Sequence, residues 1–132
     1  MSHTLKLAAL GAVVFMLLDG IWLGVLMKGF YRAQLAPIVR LVDGDIAPNW
    51  PAALVVYALL GAGIALFVIP IAPAAPAAAV HGALLGLVVY GVYDFTNYSA
   101  LRQWPFVLVL VDVAWGTGAT AVCSTVVRLL IR

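Results

Sequence analysis

Residues 7–27 read LAALGAVVFMLLDGIWLGVLM, with Asp19 as the only charge. A helix rises 1.5 Å per residue, so a run of this length crosses the roughly 30 Å hydrocarbon core of a bilayer. Asp19 sits inside that run, and a carboxylate at membrane depth costs about 2.5–3.5 kcal/mol on insertion scales. This one segment therefore predicts a membrane span and an acid that needs a reason to be there. Lys6 before an apolar stretch resembles a secretory signal, yet the stretch continues past Asp19 to Met27. That exceeds an h-region of about 7–15 residues, and no small-x-small cleavage site follows, so a retained first helix is expected.

Three further runs have the length and apolarity of spans: Pro51–Ile71, Ala77–Tyr98 and Pro105–Leu130. Composition agrees, with 66% hydrophobic and 9% charged residues among 132 and a mean hydropathy of +1.16. Soluble domains carry about 25% charged residues. A single transmembrane domain over residues 1–132 is expected. The net charge of +2 comes from scattered Lys and Arg with no basic stripe, which argues against a nucleic-acid partner. His3, His81 and the lone Cys123 have no metal-ligand spacing, so neither a metal nor a cofactor is expected.

The links Ala72–Pro76 and Ser99–Trp104 are short, and short links force neighbouring helices antiparallel. The predicted fold is all-α, an integral membrane four-helix up-down bundle. Residues 28–50 form a longer loop, mixing Lys28, Arg32 and Arg40 with Phe30, Tyr31, Leu35 and Ile38 before Asp43-Gly44-Asp45. That composition fits an amphipathic segment in the headgroup layer or a solvated loop with aromatic anchors. Asn49-Trp50-Pro51 and Gln103-Trp104-Pro105 open spans two and four alike, and Asp19 and Asp94 lie near the ends of spans one and three. A duplicated helical hairpin would account for both. Lys28, Arg32, Arg40 and Arg102 face one side, and Lys6, Arg128, Arg132 and the terminal amine face the other. This balance leaves orientation open.

Asp19, Asp94 and Asp112 fall at similar depths, on the order of 10–12 Å from the same surface by helical rise. Each has company one turn away: Trp22 for Asp19, Trp115 for Asp112, and Tyr90 and Asn97 on either side of Asp94. Such i, i+3 and i, i+4 neighbours share a helix face. Gly20, Gly24, Gly116 and Gly118 flank the rows and would allow close approach or leave room for a ligand. The expected pocket is built from Asp19, Trp22, Tyr90, Asp94, Asn97, Asp112 and Trp115, opening toward Arg32, Arg40 and Arg102. The alternative is that each acid is bonded across helices as structural glue. Trp50 and Trp104 read as interface anchors.

The run Tyr93-Asp94-Phe95-Thr96-Asn97-Tyr98, continuing through Arg102-Gln103-Trp104-Pro105 to Asp112-Val113-Ala114-Trp115-Gly116, resembles a bacterial family of small membrane proteins known only as a domain of unknown function. Asp19-Gly20-Ile21-Trp22-Leu23-Gly24 and Tyr31 fit its N-terminal pattern, so the likeness covers nearly the whole chain. It implies a multi-pass protein of the bacterial inner (cytoplasmic) membrane, and it brings no catalytic residues with it.

Three functions compete. Buried carboxylates and aromatic faces suit binding or transport of a small cationic or amphipathic molecule, with cation–π attraction of about 2 kcal/mol when desolvated. Protons would compete with such a ligand, because desolvation in general favours the neutral acid. The same groups suit an enzyme acting on a lipid or isoprenoid by acid–base chemistry, with Asp94, Asp112 and Asp19 as catalytic candidates. Glycine faces and the long loop suit an accessory or assembly subunit of a larger membrane complex. Membrane lipids are partners in every case, and a homodimer is compatible with all three.

Overall fold

The computed structural model describes residues 2–131. Arg132, counted above among the charges, lies outside them. Four helices are long and apolar enough to cross a membrane: His3–Leu26, Trp50–Ile71, Ala75–Ala100 and Phe106–Leu130. The fold is nearly all-α, as the sequence predicts. Helix α1 (His3–Ile21) begins at Ser2, whose Oγ accepts from the Leu5 amide at 3.2 Å, and ends in a π-helical turn, Trp22–Leu26. Helix α3 (Trp50–Gly63) is capped by Asn49, whose Oδ1 accepts from the Ala52 amide, with Pro51 in its first turn. Pro costs nothing there because that N–H has no helical partner. Pro70 near the other end cannot donate to the ladder. The helix widens into a π turn at Ile64–Val68 and closes as a 3₁₀ turn at Ile69–Ile71. Helices α4 (Ala75–Ala100) and α5 (Phe106–Leu130) are unbroken.

The 28–50 region is ordered. It contains a short helix α2 (Lys28–Leu35) and a two-residue ladder, β1 (Leu41–Val42) on β2 (Asp45–Ile46). Asp43 and Gly44 both have positive φ, at 52° and 80°, the backbone that a two-residue type I′ hairpin turn requires. Asp45 pairs with Lys28 at 3.1 Å, and Arg32 donates to the Gly44 carbonyl at 3.2 Å. Phe30, Tyr31, Leu35 and Ile46 pack against Trp104, Leu108 and Val109 at the start of α5. Loop one is thus folded onto the end of the bundle.

Close approach between helices is set by small residues. Gly61 of α3 lies against the Ala8 carbonyl and Ala12 of α1, and Gly11 faces Gly61. Gly82 and Gly86 of α4 lie on Ser124, Thr120 and the Gly116 carbonyl of α5. Without a hydrophobic drive in lipid, such stripes let backbones meet and gain dispersion contacts. Thr117, Thr120 and Thr125 return their hydroxyl protons to the carbonyl four residues earlier, which satisfies them where water is absent. Cys123 donates its thiol to the Gly11 carbonyl at 3.3 Å, joining α5 to α1.

The lateral order of the helices is therefore α3, α1, α5, α4. Helix α1 contacts both α3 and α5, and α5 contacts α4. Helices α3 and α4 are joined by the tight Ala72–Ala74 link, yet they meet mainly at that end, through the Ile64–Val68 turn and Leu85 beside Gly63. Above it they diverge and leave a slot.

Candidate functional site

The two D-x-x-W rows face each other across the α1–α5 contact and exchange partners. Trp115 of α5 donates its indole N–H to Asp19 Oδ1 of α1 at 3.1 Å. Trp22 of α1 stacks flat on Trp115, with ring centroids 4.4 Å apart and planes 2° from parallel. Trp22 in turn donates to Tyr31 Oη at 3.0 Å, and Tyr31 donates to Asp112 Oδ1 at 2.7 Å. A fourth donor, Tyr57 of α3, gives its hydroxyl proton to Asp19 Oδ2 at 2.7 Å. Asp19 and Asp112 are thereby tied into one circuit that also fastens loop one, through Tyr31, to the membrane helices. Burial and the adjacent Asp112 carboxylate push the Tyr31 phenol above its ordinary value, which keeps it a donor.

Asp94 is placed differently. It is fully buried on α4, beside the Asp112 carboxyl and the Trp104 indole. Neither of its oxygens, nor the Trp104 Nε1, has a hydrogen-bond partner of good geometry. It is not paired with Arg102: among the described residues the ion pairs are Lys28–Asp45 and Arg32–Asp45. Unpartnered polar groups at such depth are costly, which marks this corner as the least settled part of the core.

A cavity of about 690 Å³ opens beside the circuit. Asp19, Asp112, Tyr31, Tyr57, Tyr90 and Tyr93 reach it, with Trp50 and Trp104 at its loop end, and no Lys, Arg or His is in its wall. Tyr90 covers Gly116, where a Cβ would enter its ring, and stacks on Phe15 at 6.3 Å. Gly20 and Gly24 have nothing within 4 Å of an added Cβ, so of the four flanking glycines these two leave space in the cavity wall. Gly118 is also free but faces an apolar groove on the other side, over the Trp22–Trp115 pair. Among the described residues, no group of three or more His, Cys, Asp or Glu side chains is placed to hold a metal ion.

Of the seven residues singled out from the sequence, Asp19, Tyr90 and Asp112 line the cavity. Trp22 and Trp115 stand behind it, orienting its acids. Asp94 is one layer deeper, and half-buried Asn97 is outside the lining. Sequence reasoning missed Tyr31 and Tyr57 as carboxylate donors and Tyr93 as a wall. Trp104, read as an interface anchor, is buried beside Asp94, whereas Trp50 in the matching motif is 58% exposed at the rim. Tyr31, Leu35, Val39, Ile46 and Pro48 of loop one line the cavity's loop end, and Arg32, Arg40 and Arg102 are not in the lining.

Residues 4–129 match the family described as "Predicted membrane protein (DUF2177)", and the chain belongs to that family. No curated protein and no solved structure matches it.

Proposed function

We propose that this DUF2177 member is a binding protein, and by extension a carrier, for a small cationic or amphipathic molecule in the bacterial inner membrane. The observation that supports it is the cavity itself. Two carboxyls face into about 690 Å³ of otherwise aromatic and aliphatic wall, with no cationic side chain to neutralise them. That volume is within the range of about 300–1,000 Å³ that small ligands occupy. A cation there meets the acids together with the Tyr57, Tyr90 and Tyr93 side chains, and ring faces attract cations most when water is excluded. Tyr57 and Trp115 hold Asp19 by its two oxygens, so its position does not depend on the ligand. Purified protein in a non-ionic detergent is expected to bind a lipophilic cation such as tetraphenylphosphonium. Binding should weaken in acid, as protons compete with the cation, and Asp19→Asn should abolish it. Unchanged affinity in that variant would sink the proposal.

The contact between Asp94 and Asp112 favours a second reading, an intramembrane enzyme acting on a lipid or isoprenoid. Two adjacent carboxyls, one reaching the cavity and one behind it, suit proton exchange with a bound substrate without a cofactor. In this reading Asp112 touches the substrate, Asp94 exchanges a proton with it, and Asp19 is the opposing base. Lipid extracts from cells with and without the gene would then differ by a substrate–product pair; identical extracts across growth conditions would end this reading.

A further inference from the structure

The side-by-side order α3, α1, α5, α4 leaves one lateral edge of the bundle open. Helices α3 and α4 part above the Ile64–Val68 turn, and the residues along that slot belong at once to the cavity wall and to the outer surface. Val56 and Leu59 of α3 are 52% and 67% exposed, and Val89 of α4 is 39% exposed. All three are aliphatic and lie within membrane-spanning helices, so what they meet outside is hydrocarbon. At the loop end, loop one is fastened by the Tyr31–Asp112 bond. The cavity thus has its acids on the α1 and α5 side and an aliphatic, surface-exposed wall on the α3 and α4 side.

We propose that the slot between α3 and α4 is a lateral portal admitting a single-chain cationic amphipath from the bilayer. Its head lies against Asp19 and Asp112, and its tail passes out between Val56, Leu59 and Val89. This rests on the binding reading above and specifies the ligand class and its route. Charge complementarity selects the head: the acids have no basic neighbour in the wall. The open glycine face at Gly20 and Gly24 gives a bulky head such as a quaternary ammonium somewhere to sit. The portal explains the tail. A water-borne ion needs no aliphatic slot, whereas an amphipath enters without its chain leaving hydrocarbon.

The test compares hexadecyltrimethylammonium with its head alone, tetramethylammonium, using protein in dodecyl maltoside and expressing the amphipath as its mole fraction in the micelle. Leu59→Trp and Val89→Trp narrow the slot, and Val92→Trp, exposed on α4 outside the cavity lining, is the control. The slot variants should weaken the amphipath by roughly tenfold or more and leave tetramethylammonium within about twofold, with the control unchanged for both. As a gentler measurement, the thiol of Leu59→Cys in a Cys123→Ala background should be shielded from alkylation by the amphipath and not by tetramethylammonium. If tetramethylammonium binds but the slot variants leave the amphipath unaffected, or weaken both ligands equally, or the introduced thiol is not shielded, the portal is refuted and the binding reading stands. If the wild-type protein binds neither ligand, or binds both regardless of Asp19→Asn, the binding reading falls and takes the portal with it.

Discussion

Tyr31→Phe removes a single oxygen from the structure and is expected to undo the join between loop one and the membrane helices. That oxygen donates to Asp112 at 2.7 Å and accepts from Trp22 at 3.0 Å. Tyr31 is 5% exposed, so both former partners are left in a place that water reaches poorly. A hydrogen bond to a charged group contributes about 1.5–3 kcal/mol, and an orphaned neutral donor costs about 1–3. Measured bonds between membrane helices average only about 0.6 kcal/mol, with a maximum near 1.7, because the unfolded chain in lipid also finds partners. Tyr31 lies outside the spans and loses its partner to water on unfolding, so the larger scale governs one bond and the smaller the other. Together they give about 2–4 kcal/mol. Reversible unfolding in mixed dodecyl maltoside–SDS micelles would measure it. A double-mutant cycle with Asp112→Leu should show a coupling of about 1 kcal/mol, and the amides of Lys28–Leu35 should exchange hydrogen faster than those of α5. A loss below about 0.5 kcal/mol, or zero coupling, would refute the claim that this bond holds the loop down.

Other substitutions separate packing from chemistry. Gly61→Ala drives a methyl into the Ala8 carbonyl and the Ala12 backbone; it should cost about 1–3 kcal/mol, against less than about 0.5 for Gly20→Ala, in the same unfolding assay. Asp94→Asn replaces a buried carboxyl whose oxygens have no hydrogen-bond partner and should leave thermal stability unchanged or raise it, whereas Asp112→Leu should lower it by breaking the Tyr31 bond. The reverse order would show that Asp94 is the better satisfied acid. Tyr57→Phe takes one of two donors from Asp19 and should weaken cation binding several-fold with little change in fold, as judged by titration beside a circular dichroism spectrum. Lys28→Ala breaks an exposed ion pair, half its side chain in solvent, and its effect on stability should be too small to detect.

The spans were legible because lipid imposes length and apolarity on every segment that crosses it. The convergence of acids was legible because residues at equal depth on adjacent helices have few places to go. The rotation of each helix was not. A helix bathed in lipid is apolar all round, so periodicity does not say which face turns inward. Tyr57 therefore looked like one more apolar residue in WPAALVVYALL, though it is a principal donor to Asp19. Trp50 and Trp104 sit in nearly identical motifs and end in opposite environments, because loop one packs on α5 and leaves the start of α3 free. Asn97, one turn from Asp94, is half-buried and outside the cavity lining, although Tyr90 at the other end of the same row reaches it. Depth comes from counting residues; azimuth comes from the partners, and those were missing from a single chain of letters.

The flat Trp22–Trp115 pair gives the molecule an optical gauge of its own. Parallel indoles 4.4 Å apart share their electronic excitations, so ellipticity in the aromatic region and quenched emission both register their spacing. Any ligand, lipid or voltage that slides the first helix along the last would be visible in unlabelled protein.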